Sequence, residues 1–294
     1  MAEHFEDRPL KTRVIIVRHG QSTYNLQKRI QGHCDESELT PTGESQAIQV
    51  AQALVGIPFE GVWASPLKRA RKTAELIVEE LRKATPHLGN PNFSDNLKEI
   101  SLPLWEGMPF VEAEANFADQ FRRWRTDPAN FSMDVPGTDS RATVYPVRDV
   151  YRQAERFWQQ LLSQNEGKTL LIVAHSAINR ALVSTAIGLG PERFNNLAQA
   201  NCNISVLNFT GGWNSPVQVE SMNLTSHMGD PLPKMRNGHR GPRMLLVRHG
   251  ETEWNRNGQF QGQIDVPLND NGRAQAEKAS DFLKDVSIDA AYTS

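Results

Sequence analysis

Short apolar runs rich in β-branched residues punctuate the chain, RVIIV at 13–17 and TLLIVA at 169–174. Runs of this kind suit buried parallel strands covered on both faces by helices. Between them, apolar positions recur with helical spacing. Thr40-Pro41 reads as an N-cap followed by proline at the first helical position, with Ala47, Ile48, Ala51 and Leu54 on one face. Ser65-Pro66 repeats that start, and Leu67, Ala70, Ala74, Ile77, Val78 and Leu81 form the next apolar face. The alternation predicts an α/β domain with a mainly parallel sheet flanked by helices on both faces. ISVLNF (204–209) and PVQVESMN (216–223), joined through Gly211-Gly212, predict a closing hairpin. Residues 110–125 read as one amphipathic helical stretch, with Phe110, Phe117, Phe121 and Trp124 inward. Arg122, Arg123 and Arg125 read as a solvated face from which one side chain could reach a substrate carboxylate.

The first apolar run recurs. RVIIVRHGQSTYN (13–25) and RMLLVRHGETEWN (243–255) are identical at six of thirteen positions. IQG then meets FQG, LTPTGESQA meets LNDNGRAQA, and VWAS meets the final AYTS. The segment 226–243 is dense in glycine, proline and polar residues, as linkers are. These features predict a domain over 10–226, a linker over 227–242 and a truncated second repeat over 243–294. The second repeat is expected to form one strand, one helix and the start of another strand. A core of fewer than about 70 residues seldom holds itself together. The repeat is therefore expected to be weakly stable, with an unpaired strand edge, and the chain to be an incomplete version of a longer protein. It carries Arg248, His249 and Asn255 but no counterpart of Arg69, Glu99 or His175, so it is expected to be catalytically silent. A binding or dimerisation appendage is the alternative role.

Composition narrows the class. A hydrophobic content of 38% and charged content of 22% fit a globular protein, and a net charge of −2 gives no pull toward nucleic acid or anionic lipid. The polar, acidic start MAEHFEDRPLK does not read as a secretory signal. No apolar stretch approaches the roughly 20 residues that span a bilayer. Cys34 and Cys202 have no metal-like or redox-like spacing and read as reduced thiols rather than a disulfide. The expectation is a cytoplasmic protein with no nucleic-acid or membrane partner; its oligomeric state is left open.

The candidate chemistry lies at strand ends. His19 follows the first apolar run and opens onto RHGQSTYN; His175 closes TLLIVA just before the helical stretch AINRAL. In open α/β sheets ligands bind beyond the carboxyl ends of strands, so two such histidines could face one crevice. Arg18 adjoins the first, and Arg69 lies in the first turn after Ser65-Pro66, where a helix N-terminus favours an anion. Two arginines, two imidazoles and a helix N-terminus suit a doubly charged phosphoryl group. His33, His87, His227 and His239 read as surface or linker residues, and Arg180 as support for the helix after His175.

The motifs RHGxSxxN, SPLKRARKTAE, LKEISLPLWEG and VAHSAINRAL, in this order, resemble the histidine phosphatase superfamily, which includes the cofactor-dependent phosphoglycerate mutases. The resemblance covers nearly all of 13–226 and again 243–294. It implies that His19 is the nucleophile that becomes a phosphohistidine. Arg18, Arg69 and His175 would bind the non-bridging oxygens, with Asn25 and Ser22 as further donors; Ser176, a departure from the family pattern, could add a hydroxyl donor of its own. Glu99 would protonate the leaving oxygen through a carboxyl of raised pKa, with Glu106 as the rival acid. No metal or other cofactor is implied. Ser176 stands where glycine is usual, and Ser101-Leu102-Pro103 replaces the more frequent aromatic-glycine step.

A phosphatase admits water to the phosphohistidine, whereas a mutase keeps it dry. The segment Gly107–Ser140 is expected to cover the site. Glu99 and His175 are only 76 positions apart, shorter than the mutases resembled, which favours hydrolysis of a small phosphorylated metabolite. Mutase-type transfer and a non-catalytic phosphate-binding regulator remain the alternatives. The motifs do not choose among phosphoserine, sugar phosphates, phosphoglycerates and phosphorylated ribazole.

Overall fold

The structure is a computed structural model that describes residues 11–136, 141–235 and 240–294, the side chain of Arg141 excepted. The acidic start, the end of the expected covering segment and His239 lie outside the described residues. Two compact units meet at Pro233 and Lys234, inside the predicted linker.

The first unit is built on six strands. β1 (Thr12–Arg18), β2 (Gly61–Ala64) and β3 (Asn92–Phe93) share a sheet with β6 (Thr169–Ala174), β7 (Ile204–Phe209) and β8 (Val217–Leu224), after the separate hairpin β4 (Met133–Pro136) and β5 (Arg141–Val144). The order is β3-β2-β6-β1-β7-β8. The first four run parallel, and the β7–β8 hairpin closes the edge antiparallel to β1. Side chains of β1 alternate between two cores. Val14 and Ile16 join one cluster with Ile172, while Ile15 and Val17 join the other with Val173. Both faces of the strand are buried, which explains its unbroken apolar run.

The helices sort accordingly. α1 (Thr23–Leu26) is a single turn, and α2 (Pro41–Leu54) and α3 (Lys68–Leu81) pack on the Ile15/Val17 face. α4 (Phe110–Asn116), α5 (Ala118–Thr126), α6 (Pro146–Gln164) and α7 (Ser176–Ala186) belong to the other layer. Thr40 caps α2 by accepting from the Gly43 N–H, with Pro41 in the first turn as expected. Val50 rather than Ile48 completes its buried face. α3 begins two residues later than the Ser65-Pro66 pattern predicts, at Lys68, and the Ser65 hydroxyl contacts His175. The stretch 110–125 is two helices, broken at Phe117 (φ −130°, ψ 40°). Phe121 is buried against Trp105, whereas Phe110 is exposed and not part of the core. A turn at Ser226–Met228 extends the first unit, with a hydrogen bond of 3.0 Å between His227 Nε2 and the Cys202 carbonyl.

The second unit contains α8 (Glu253–Arg256) and α9 (Asp270–Leu283) and, among its described residues, no strand. RMLLV was expected to be a strand; it runs without a ladder partner. Leu246 and Phe260 are almost fully exposed, and among the described residues of this unit only Thr252 and Gly272 are buried. An apolar run becomes a strand only where a partner satisfies its backbone, and none does so here. In hydrogen–deuterium exchange the amides of 243–294 should exchange within seconds to minutes while those of β1 and β6 stay protected for hours. Equal protection of the two units would show that the second carries a core of its own.

Candidate active site

The site grows from the carboxyl ends of β1 and β6. Arg18 lies opposite Ala174 in the parallel register, so His19 and His175 leave the sheet side by side. Their rings stand 5.1 Å apart at 62°, and both are buried. His19 Nδ1 lies 2.7 Å from the Gly20 carbonyl, which can only accept. The proton therefore sits on Nδ1, and Nε2 carries the lone pair. Burial, followed by the guanidinium charges of Arg18 and Arg69, holds the His19 imidazole well below its usual 6.5 despite the opposing Gly20 bond. Burial, then Arg69, His19 and Arg18, does the same to His175. Both rings are neutral at neutral pH.

His175 Nε2 lies 2.7 Å from Ser65 Oγ, at the carboxyl end of β2. Ser65 Oγ also accepts from the Leu67 N–H. Ser65 Oγ can give its own proton to His175 Nε2, and in that arrangement the His175 proton sits on Nδ1, a buried atom with no partner. Arg18 and Arg69 complete the floor. Arg18 Nη1 donates to the Gln199 carbonyl at 2.7 Å; Arg69 donates to the carbonyls of Gly32 (2.9 Å) and Cys34 (3.1 Å). The Nε of each arginine is buried and unpartnered. Burial lowers the Arg18 guanidinium to about 10, with Glu99 opposing, and it stays charged at neutral pH. The buried, unpartnered nitrogens Arg18 Nε, Arg69 Nε and His175 Nδ1 thus belong to residues whose charge or ring reaches the nucleophile candidate, and an anion would supply the acceptor that the two arginines lack.

Glu99 sits against the N-terminus of the helix that follows His175. Its Oε1 accepts from the N–H groups of Ala177 (2.9 Å) and Ile178 (3.2 Å). Glu106, the rival acid, has its Oε1 engaged by the N–H groups of His33 and Leu102 at 2.9 and 3.0 Å. Ser22 and Asn25 form a reciprocal capping box on α1, and Asn25 Oδ1 also accepts from Asn201 at 3.0 Å. Ser22 is buried with its hydroxyl committed to this box. Ser176 is half-buried at the first position of α7. The structure thus gathers His19, His175, Arg18, Arg69 and Glu99, while Ser22 and Asn25 shape the loop below them.

The loop at Gly20 and the first turn of α2 at Gly43 cross so closely that a Cβ on either glycine would overlap the other segment's backbone. The second unit repeats this crossing at Gly250 and Gly272, the capping box at Thr252 and Asn255, and the 2.7 Å contact from His249 Nδ1 to Gly250. His249, however, is exposed. Sequence reasoning missed Ser65, His33 and the loop bearing Gln199 and Asn201. Only Ser65 had a signal, its place after a strand of the same sheet.

A family model described as the histidine phosphatase superfamily (branch 1) matches residues 14–222 and 244–294. A 2-carboxy-D-arabinitol-1-phosphatase of Triticum aestivum is 37% identical over 281 residues, 95% of this chain and 54% of the relative. The chain spans about half the length of such plant relatives. Phosphoserine phosphatase 1 of Hydrogenobacter thermophilus is 27% identical, covering 74% of this chain and 95% of its own. Among solved structures, the phosphoserine phosphatase of Entamoeba histolytica in complex with 3-phosphoglyceric acid matches with a TM-score of 0.59 and 27% identity, over 74% of this chain and 99% of that one.

The depressed imidazoles set a pH dependence of stability. Their folded-state values lie below the 6.5 of the unfolded chain, so below pH 6.5 the unfolded state binds more protons. No penalty exists above that pH; one develops as pH falls toward the folded-state values. Between about pH 7 and 5 the wild type should lose more of its melting temperature than a His19→Gln/His175→Gln variant. Equal losses would acquit the two histidines.

Proposed function

The chain belongs to the histidine phosphatase superfamily, branch 1, and on that premise we propose that its first unit is a metal-independent phosphomonoesterase working through phosphohistidine at His19. The observation that carries this reading is the set of unpartnered buried nitrogens, Arg18 Nε, Arg69 Nε and His175 Nδ1, on residues whose charge or ring reaches a neutral His19 imidazole. His19 Nε2 attacks phosphorus, and the P–O bond to the leaving oxygen breaks. Glu99 gives that oxygen a proton. Water then attacks the phosphohistidine, the Glu99 carboxylate takes its proton, and inorganic phosphate leaves with His19 restored. Fixed donors stabilise the equatorial charge without reorganising, at about 3–4 kcal/mol each in analogous oxyanion sites.

The substrate is a small phosphate ester with a carboxylate near the phosphoryl group. Supporting this are the relatives, whose names refer to carboxyarabinitol phosphate and phosphoserine, and the structure bound to 3-phosphoglyceric acid. The chemistry is assigned to the first unit, since Arg248 and His249 in the second are exposed. We assign 243–294 as a second copy of the start of the same fold, after a linker that includes the 233/234 boundary. No helix among the described residues is long and apolar enough to cross a membrane.

Phosphate release from a panel of carboxylate-bearing esters, in chelator, tests the reading. Wild type should turn over and His19→Ala should not; quenching in alkaline detergent should trap an acid-labile, alkali-stable phosphoprotein. Arg69→Ala should lower kcat/KM by about 10²–10³-fold. Isomerisation of 3-phosphoglycerate in the presence of the 2,3-bisphosphate with little free phosphate would replace hydrolysis by mutase transfer. Phosphate binding with neither activity would leave a sensor.

A further inference from the structure

We propose that His33, an exposed residue outside the pocket floor, is a positioning residue for proton transfer: it fixes the main chain of Glu99. The inference rests on the reading of Glu99 as the proton donor. His33 Nε2 lies 2.7 Å from the Glu99 carbonyl, and as a carbonyl only accepts, the ring donates. The His33 N–H meanwhile donates to Glu106 Oε1, which also accepts from Leu102. One histidine thereby ties both ends of the 99–102 loop to the segment after α1.

That segment is itself anchored in the phosphate floor. The carbonyls on either side of His33, of Gly32 and Cys34, are the two acceptors that hold Arg69. Gly32 has φ +50°, and a Cβ there would overlap the Glu106 side chain, so this close approach requires glycine. The Gly32–Cys34 segment therefore links three functions: it orients Arg69, receives Glu106 and holds Glu99. Of these links, only the His33–Glu99 bond bears on the acid directly.

The Glu99 loop needs such a hold. It carries Pro103 where the family more often has an aromatic-glycine step, and its other side-chain clamp is Gln153 Nε2 on the Lys98 carbonyl at 2.7 Å. The Glu99 carboxylate reaches α7 through a flexible side chain, so a shift of its Cα moves the acid away from the leaving oxygen. Misplacement by about 1 Å can cost 100-fold in a positioned reaction. The second repeat has Gln263 at the position of His33, an amide donor of similar reach.

Leaving-group dependence separates this role from a structural one. An aryl ester such as 4-nitrophenyl phosphate departs without a proton, whereas an alkyl ester such as O-phosphoserine needs one. kcat/KM reports the first phosphoryl transfer for both. Glu99→Gln sets the scale, with the alkyl-to-aryl ratio falling by about 10²–10⁴-fold. His33→Ala should lower the ratio by about 10–100-fold, and His33→Gln should restore it to within about 3-fold of wild type. If Glu99→Gln leaves the ratio unchanged, Glu99 is not the donor and both readings fall. If Glu99→Gln lowers it but His33→Ala does not, or His33→Gln fails to rescue, the positioning role alone is overturned.

Discussion

Two guanidinium groups buried at the carboxyl end of a parallel sheet are the constraint around which the site is arranged. Arg69 is fully buried, and its hydrogen bonds go to backbone carbonyls rather than to a carboxylate. Buried charge is costly unless compensated. Here the compensation is partial: Glu99 and Asp35 act on Arg69 through the field, and each arginine keeps an unsatisfied Nε. A fold that leaves such donors unpaired stores affinity for an anion. Burial first, and then the same positive field, depresses His19 and His175, so the charges that would grip a phosphoryl group also help keep the nucleophile candidate's lone pair available. Binding and nucleophilicity thus share an electrostatic contribution.

The loop after β1 is encoded differently. Its crossing glycines, capping box and histidine-to-carbonyl contact recur in the second unit without any sheet beneath them. Short-range sequence therefore suffices for the shape of this loop. It does not suffice for its chemistry. His249 has the same Nδ1 contact as His19 but lies in solvent, without buried arginines or a facing imidazole. The comparison separates what a motif specifies, a ring orientation and a tautomer, from what only a packed sheet adds, namely desolvation and field.

The same division explains what was legible from the sequence. The apolar runs of β1 and β6, the Thr40-Pro41 cap and the closing hairpin depend on neighbours a few residues away or on burial of whole faces, and they were readable. The placement of the two histidines and Arg69 at strand ends and in an early helical turn was readable from the apolar runs that precede them. Ser65 was misread as a helix cap because its partner is His175, 110 positions away. His33 looked like a surface residue because its partner is the Glu99 carbonyl, 66 positions away. The break at Phe117 and the absent strand at 243–248 show the converse. There the local pattern was sound, but tertiary packing, or the lack of a partner strand, decided the outcome.

One helix carries the consequence furthest. α7 begins with His175 as its N-cap residue, and its first N–H groups are taken by Glu99. The imidazole proposed to bind phosphate and the proton-donor candidate are thus referenced to the same rigid element, so their separation is set by a helix terminus rather than by two independent loops. β6 in turn pairs with β1, which fixes the nucleophile candidate relative to both. Only the main chain of Glu99 lies off this rigid frame. It reaches the frame from a loop, and the side chains that hold its backbone come from outside α7. Variation in those side chains would alter proton delivery while leaving the phosphate floor intact. Such a site can change leaving-group preference without rebuilding the pocket for the phosphoryl group.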